Sequence, residues 1–290
     1  MLNWYVFALL GFSLIGLQRF LYKVAANRGH SPSRATFSFM LTVALISGII
    51  YILRPTPLAS PWLLLLFAVI NSASFVSATL SHIRALHHIP ASVAYPVIRM
   101  NILLVLLFSV IALSERLSQV QWMGVGLSLL ALLFLSGIQV TGVGGKASSR
   151  YRKGWAQLGL ATVSGAAAAI SCKLAADLGN LLAFIAISYA CSTFLTWLGA
   201  AVSGKEETEV KSSAGPDWLG VGMGLLNLAG FYCYLRALSM GPLSIVASIN
   251  GMHFVVAVVL SVIIYRERLT WRSLAGVGAS AVALVLLKGS

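Results

Sequence analysis

Acidic side chains are scarce in this chain: seven Asp and Glu in 290 residues, against twenty Lys and Arg. Charged residues of either sign make up only 9% of the sequence while 59% is hydrophobic, too little charge to clothe a water-facing surface. A soluble enzyme is thereby excluded, and so is a nucleic-acid binder. The formal charge of +13 comes with no basic run threaded by aromatics, and in a polytopic protein such charge marks loops. Cysteine is rare too: Cys172, Cys191 and Cys233 stand far apart in apolar stretches, with no CxxC or paired spacing for a disulfide or zinc site. His82, His87 and His88 have no Cys, Asp or Glu beside them, so neither a metal site nor a cofactor is expected.

What fills the chain is apolar sequence punctuated by Pro, Gly and charge. A lipid bilayer needs about 20 apolar residues per helical span, so ten spans take roughly 200 residues and leave no room for a soluble catalytic domain. The runs read as spans at 3–22, 35–53, 62–83, 91–113, 120–138, 155–174, 181–202, 217–238, 243–265 and 272–287. The first run ends in Gln18-Arg19 with no basic stretch before it, which predicts a span and not a signal peptide. A Gly- and Ser-rich stretch, Val143-Gly144-Gly145-Lys146-Ala147-Ser148-Ser149-Arg150, sits at the middle and reads as a linker.

Sliding the sequence on itself by 152 positions uncovers a repeat. Arg84-Ala85-Leu86 falls on Arg236-Ala237-Leu238, Pro90 on Pro242, Ser92 on Ser244 and Met100 on Met252. Glu115-Arg116-Leu117 then meets Glu267-Arg268-Leu269, and Gly124 and Gly126 meet Gly276 and Gly278. Lys23-Val24-Ala25-Ala26 matches Lys173-Leu174-Ala175-Ala176 at a shift of 150. The expected organisation is one five-span half over 1–139, a linker over 140–154 and a second half over 155–290. Five is odd, so the second half enters the membrane from the opposite side. The predicted fold is therefore an all-α integral membrane protein of ten transmembrane helices in two inverted five-helix repeats, an architecture suited to alternating access around a midplane site.

These features together resemble the EamA-like branch of the drug/metabolite transporter superfamily. The resemblance rests on the ten spans, the lysine ending the first span of each half, the Arg-Ala-Leu and Pro turn before the fourth, and the Glu-Arg-Leu turn before a Gly-bearing fifth. It covers essentially the whole chain. It implies a secondary carrier for a small metabolite, often an exporter, with a central cavity between halves.

Polar groups at membrane depth are costly unless they face protein or water, which makes them functional candidates. Arg99 lies eight residues into the fourth span, about 12 Å along the helix axis, with Tyr95 one turn before it. A cation there offers a forked contact to a carboxylate or phosphate, or alternatively caps carbonyls freed by Pro96. Asn250 and His253 share a face of the ninth span, and the repeat places Asn101 at the equivalent of His253. His253 is a candidate for substrate contact or for carrying a coupling proton, against the alternative of a hydrogen-bonded histidine inside the bundle. Asn71 and Asn227 either line the same space or join helices. Arg19 lies near the end of the first span, where it can snorkel, and Lys173 with Asp177 reads as an ion pair at a membrane edge.

All seven acids, Glu115, Asp177, Glu206, Glu207, Glu209, Asp217 and Glu267, fall at turns or span ends. A cation antiporter needs a buried carboxylate, so the substrate is expected to be anionic, zwitterionic or neutral. The same absence speaks against an aspartyl intramembrane protease, and Gly11-Phe12-Ser13-Leu14 lacks the second Gly of a serine elbow. Gly220-Val221-Gly222-Met223-Gly224 reads as helix packing within a span and not as a nucleotide loop. Partners are thus a small-molecule substrate and the lipid bilayer, no nucleic acid, in a monomer or homodimer, with the bacterial inner membrane as the expected location. Loops after odd-numbered spans hold twelve cations and those after even spans four, a count that puts both termini outside, whereas the family habit puts them inside. A second class of function, a subunit that flips or presents a lipid-linked group, calls for a lateral opening rimmed by aromatics such as Trp4, Tyr5 and Tyr22. A third, a scaffold without transport, predicts no flux.

Overall fold

The computed structural model describes residues 3–28, 30, 32–86, 88–89, 91–135, 149–203, 217–266 and 270–288. Twelve helices account for the regular structure among them: α1 (Trp4–Asn27), α2 (Pro32–Leu53), α3 (Pro61–Leu86), α4 (Ala91–Arg99), α5 (Asn101–Ile111), α6 (Gln119–Leu135), α7 (Ser149–Asp177), α8 (Leu181–Ser203), α9 (Trp218–Met240), α10 (Leu243–Gly251), α11 (Phe254–Tyr265) and α12 (Trp271–Lys288). Eight stretches are long and apolar enough to cross a membrane, and the shorter apolar stretches Val97–Ile111 and Gln119–Leu135 complete the set. Most of the expected linker lies outside the described residues, as do Glu267, Arg268, Leu269 and His87, and α7 begins at Ser149, ahead of the expected start at 155.

Local sequence explains where helices begin. Pro32 and Pro61 open α2 and α3, where a missing amide hydrogen costs nothing. Asp217 caps α9 by accepting from the amides of Leu219 (3.1 Å) and Gly220 (3.3 Å). Ser118 and Gln121 form a reciprocal box at α6: Gln121 Oε1 accepts from the Ser118 amide at 2.9 Å, and Ser118 Oγ accepts from the Gln121 amide at 3.3 Å. One repeat later, Thr270 Oγ1 accepts from the Ser273 amide at 3.2 Å, so the fifth span of each half starts with the same device.

Two expected spans are each built from two helices. The fourth is α4 followed by α5, and the ninth is α10 followed by α11, with the joints at Met100 and at Met252–His253, positions that match in the repeat. Neither joint is a break in the chain direction. Amide bonds tighten from four-residue to three-residue spacing, Met100 N to Val97 O (3.1 Å) in one half and His253 N to Asn250 O (3.1 Å) in the other. Pro96, one turn before the first joint, has no amide hydrogen to donate to the Ser92 carbonyl. In the second half Gly251 leaves room for Ile102: a Cβ there meets Ile102 Cδ1 at 2.7 Å, so the two joints lie against each other.

The dominant helix contacts join one half to the other. The first span packs on the eighth and the third on the sixth, which is one interface repeated by the internal symmetry, while second pairs with seventh and fifth with tenth. Small residues allow this closeness in lipid. Gly11 approaches Gly230 O and Tyr234, Gly124 faces Leu286 and Leu287, and its repeat mate Gly276 faces Ala131 and Leu135. Gly220 and Gly224 pack on the second span, whereas Gly222, Gly126 and Gly278 meet nothing within 4 Å.

Candidate functional site

A cavity of about 210 Å³ lies at the centre of the bundle, walled by both halves: Ile15, Arg19, Met40, Asn71 and Phe75 from the first and Ala168 through His253 from the second. Its polar groups come from five spans. Arg19 contributes the cation, from two turns before the end of α1; its guanidinium stands 5.8 Å from the Tyr22 ring centroid. Among the described residues no carboxylate lines the cavity. The acids that are described sit at helix ends, with Asp177 paired to Lys173 at 2.9 Å and Asp217 on the His30 ring at 3.2 Å.

Asn71 is tied across the repeat interface, its Nδ2 donating to Ala168 O (2.9 Å), Ser171 Oγ (3.2 Å) and Cys172 Sγ (3.1 Å). It therefore both joins helices and faces the cavity. Asn227 accepts from Tyr189 Oη at 2.5 Å. His253 sits at the α10–α11 joint, where the tightened turn directs the Asn250 carbonyl to its ring, and Nδ1 donates to Asn250 O at 2.5 Å. That bond leaves Nε2 of a neutral ring as an acceptor. Two further groups at the cavity, Asn250 Oδ1 and Ser188 Oγ, are buried without a hydrogen-bond partner. A buried polar atom left unpaired is expensive and is usually satisfied by water or ligand.

Of the residues expected from sequence, Asn71, Asn227, Asn250 and His253 line this cavity. Arg99 and Asn101 are not among its lining residues. Arg99 ends α4 with its guanidinium 5.4 Å from the Phe254 ring centroid, and Asn101 opens α5 with Nδ2 against Gly165 of α7. The side chain of Tyr95 lies outside the described residues.

Aromatics supply the other wall, and sequence reasoning did not single them out. Tyr22, Phe39, Tyr189, Phe231 and Tyr234 form an unbroken chain of ring contacts, with successive centroids 6.5, 5.8, 5.9 and 6.1 Å apart. The last three line the cavity. An aromatic in an apolar span carries no hydropathy contrast; only the clustering of tyrosines in the seventh and eighth spans offered a signal. The aromatics expected to rim a lateral opening are instead packed. Trp4 covers Gly241, Tyr5 Oη donates to Leu284 O at 2.7 Å, and Tyr22 meets Phe39 edge-on.

Such a site can hold a small polar molecule: one cation for a negative group, amides and hydroxyls for hydrogen bonds, and rings for an apolar or stacked part. A solved crystal structure superposes over 98% of this chain and 98% of its own at a TM-score of 0.73 and 19% identity, a likeness of fold. Two curated proteins are similar over 81 residues, 28% of this chain and 67% of each of theirs. They are probable 4-amino-4-deoxy-L-arabinose-phosphoundecaprenol flippase subunits ArnE of Aeromonas hydrophila subsp. hydrophila (35% identical) and of Aeromonas salmonicida (33%). The membrane-length helices and these bacterial relatives mark an integral multi-pass protein of the bacterial inner membrane. The EamA-like transporter family model matches residues 2–137 and again 153–288, once per half, and the chain belongs to that family.

Proposed function

We propose that this transporter moves a small organic anion or zwitterion through the central cavity by alternating access, without covalent chemistry, and that Arg19 holds the negative group. The observation that carries the reading is the charge balance of the cavity: among the described residues, a guanidinium and no carboxylate, ringed by Asn71, Asn227, Asn250, Ser188 and His253. The unpaired Asn250 Oδ1 suits a donor on the substrate, an amine or hydroxyl, beside the anion that Arg19 attracts. Both halves line the space, so a single chain suffices to build it. His253 faces the same cavity, and a proton on Nε2 adds positive charge that strengthens anion binding.

Purified protein in proteoliposomes, screened for uptake across amino acids, organic acids and sugar phosphates, tests this reading. Arg19→Ala is expected to weaken handling of the transported anion about tenfold or more, the scale of one charge-assisted contact. Uptake by Arg19→Ala equal to wild type overturns the anchor.

A second reading has its own support. The Aeromonas relatives are named as flippase subunits for a polyprenyl-phosphate-linked amino sugar, whose phosphate, amine and hydroxyls match the same polar groups. On that reading the cavity takes the headgroup while the tail stays in lipid. Translocation of a fluorescent polyprenyl-phosphate glycolipid, with no flux of any soluble anion in the panel, selects it over the first.

A further inference from the structure

The fifth and tenth spans, α6 and α12, pack antiparallel. Gly124 near the start of α6 faces Leu286 and Leu287 near the end of α12, and Gly276 near the start of α12 faces Ala131 and Leu135 near the end of α6. Beside this seam, where α6 ends and α12 begins, lies a groove of about 340 Å³ lined by Leu130, Leu133, Phe134, Trp271 and Arg272. It shares no lining residue with the central cavity among the described residues. Its volume falls in the range of sites that hold small molecules, about 300–1,000 Å³.

Leu130, Leu133 and Phe134 stand three and four positions apart, so they form one apolar strip along the last turns of α6, and all three are exposed. Trp271 and Arg272 stand in the first turn of α12, at the end of the groove. The Trp271 ring meets Phe134 with centroids 6.4 Å apart and planes at 63°, and the Arg272 guanidinium lies 5.6 Å from the Trp271 centroid. Both side chains are exposed. The groove is therefore amphipathic along the span: hydrocarbon contacts on α6, then an indole and a cation at the level where a span leaves the lipid core. The positive end of the α12 dipole lies at the same place.

The internal repeat supplies a contrast. At a shift of 152 the strip Leu130, Leu133, Phe134 corresponds to Val282, Val285, Leu286, which is equally apolar, whereas Trp271 and Arg272 correspond to Gln119 and Val120. The greasy part thus belongs to both ends of the seam, and the ring with its cation to one end. That end lies on the face of the loops after odd-numbered spans, which hold twelve cations against four.

We infer that the groove binds an anionic glycerophospholipid, with an acyl chain along Leu130, Leu133 and Phe134 and the phosphate on Arg272. The Trp271 indole donates to an ester or headgroup oxygen. Apolar residues alone take any lipid, so the guanidinium makes the selection: it offers a forked contact to phosphate. A zwitterionic headgroup brings its own ammonium beside the phosphate and offsets that attraction. The site is independent of what the central cavity carries.

The test titrates delipidated protein in detergent with phosphatidylglycerol or phosphatidylcholine and reads bound lipid by native mass spectrometry. The first phosphatidylglycerol is expected to bind about tenfold more tightly than the first phosphatidylcholine, the scale of one charge-assisted contact. Arg272→Gln is expected to abolish that preference, and Arg272→Lys to keep part of it. Lys288→Gln, which removes an exposed cation from the other end of α12, is expected to leave it unchanged. Inorganic phosphate is expected not to displace the lipid. Thermal unfolding without lipid, expected to match wild type because Arg272 is exposed, checks that each variant is folded. Equal affinity for the two lipids, or a preference that survives Arg272→Gln, overturns the site and leaves general contact with surrounding lipid. Displacement by inorganic phosphate overturns it in favour of a simple anion site. A dimer that splits in Arg272→Gln with lipid affinity unchanged overturns it in favour of a second copy of the chain on this face.

Discussion

The α4–α5 and α10–α11 spans descend from one repeated pattern, carry joints at matching positions, and yet stand in different surroundings. In the second half the joint presents His253 and Asn250 to the cavity, and α10 is enclosed on all sides. In the first half the equivalent joint presents Asn101 to α7, and Arg99 lies by Phe254. Repetition of sequence thus gives repetition of backbone without repetition of role. An inverted-repeat carrier needs that property: two similar elements held in two different environments form the asymmetry that a transport cycle exchanges.

The sharpest way to break the comparison is to truncate matched positions. Ile249 is fully enclosed and its repeat mate Val97 is half-buried. Ile249→Ala is expected to cost about 2–3 kcal/mol and Val97→Ala about 1 kcal/mol, as packing is lost without a compensating gain from lipid. Thermal unfolding in detergent measures both. Equal losses would erase the difference in closure between the two spans.

The fifth and tenth spans provide the converse, a pair expected to behave alike. A Cβ on Gly276 meets Leu135 Cγ at 2.5 Å, and one on Gly124 meets Leu287 Cγ at 3.0 Å. Each Gly→Ala substitution is expected to destabilise by about 1–2 kcal/mol through overpacking, Gly276 more than Gly124. Gly126→Ala and Gly278→Ala meet open space and are expected to be neutral or to stabilise by up to about 1 kcal/mol. The same melts decide the sign.

A smaller effect separates the two joints chemically. If His253 carries a coupling proton, flux of the anion depends on pH in wild type, rises as the pH falls, and loses that dependence in His253→Gln. Asn101→Gln, at the matching joint, is expected to keep the wild-type pH profile. Identical profiles in wild type and His253→Gln would confine His253 to holding the Asn250 carbonyl.

Much of the fold was legible because lipid imposes a simple code: apolar runs of bilayer length, interrupted by turn residues, with a repeat that survives a shift of 152. The joints were not legible. A change from four- to three-residue hydrogen bonding leaves hydropathy untouched, and neither Pro96 before one joint nor Gly251 at the other ends an apolar run. Within the site, Asn71, Asn227, Asn250 and His253 were visible because polar residues at membrane depth are few. Arg19, read as a residue near the end of the first span, lines the cavity for a geometric reason. The expected span ends at residue 22, whereas α1 continues to Asn27, about 7 Å further along the axis, so Arg19 stands two turns inside the helix and not at its end. Arg99 stood out by its depth and by the polar face it shares with Tyr95, and neither says which neighbouring helices that face meets. Tyr189, Phe231 and Tyr234 line the site through the meeting of two spans, information held by tertiary packing and not by local pattern.

The central claim is that the cavity cation at Arg19 binds the negative group. The most direct measurement compares the affinity of one transported anion for wild type, Arg19→Ala and Arg99→Ala in the same detergent, with folding checked by thermal unfolding. The prediction is a loss of about tenfold or more for Arg19→Ala and a change under about threefold for Arg99→Ala. Undiminished affinity in Arg19→Ala, with the loss appearing in Arg99→Ala, would contradict it.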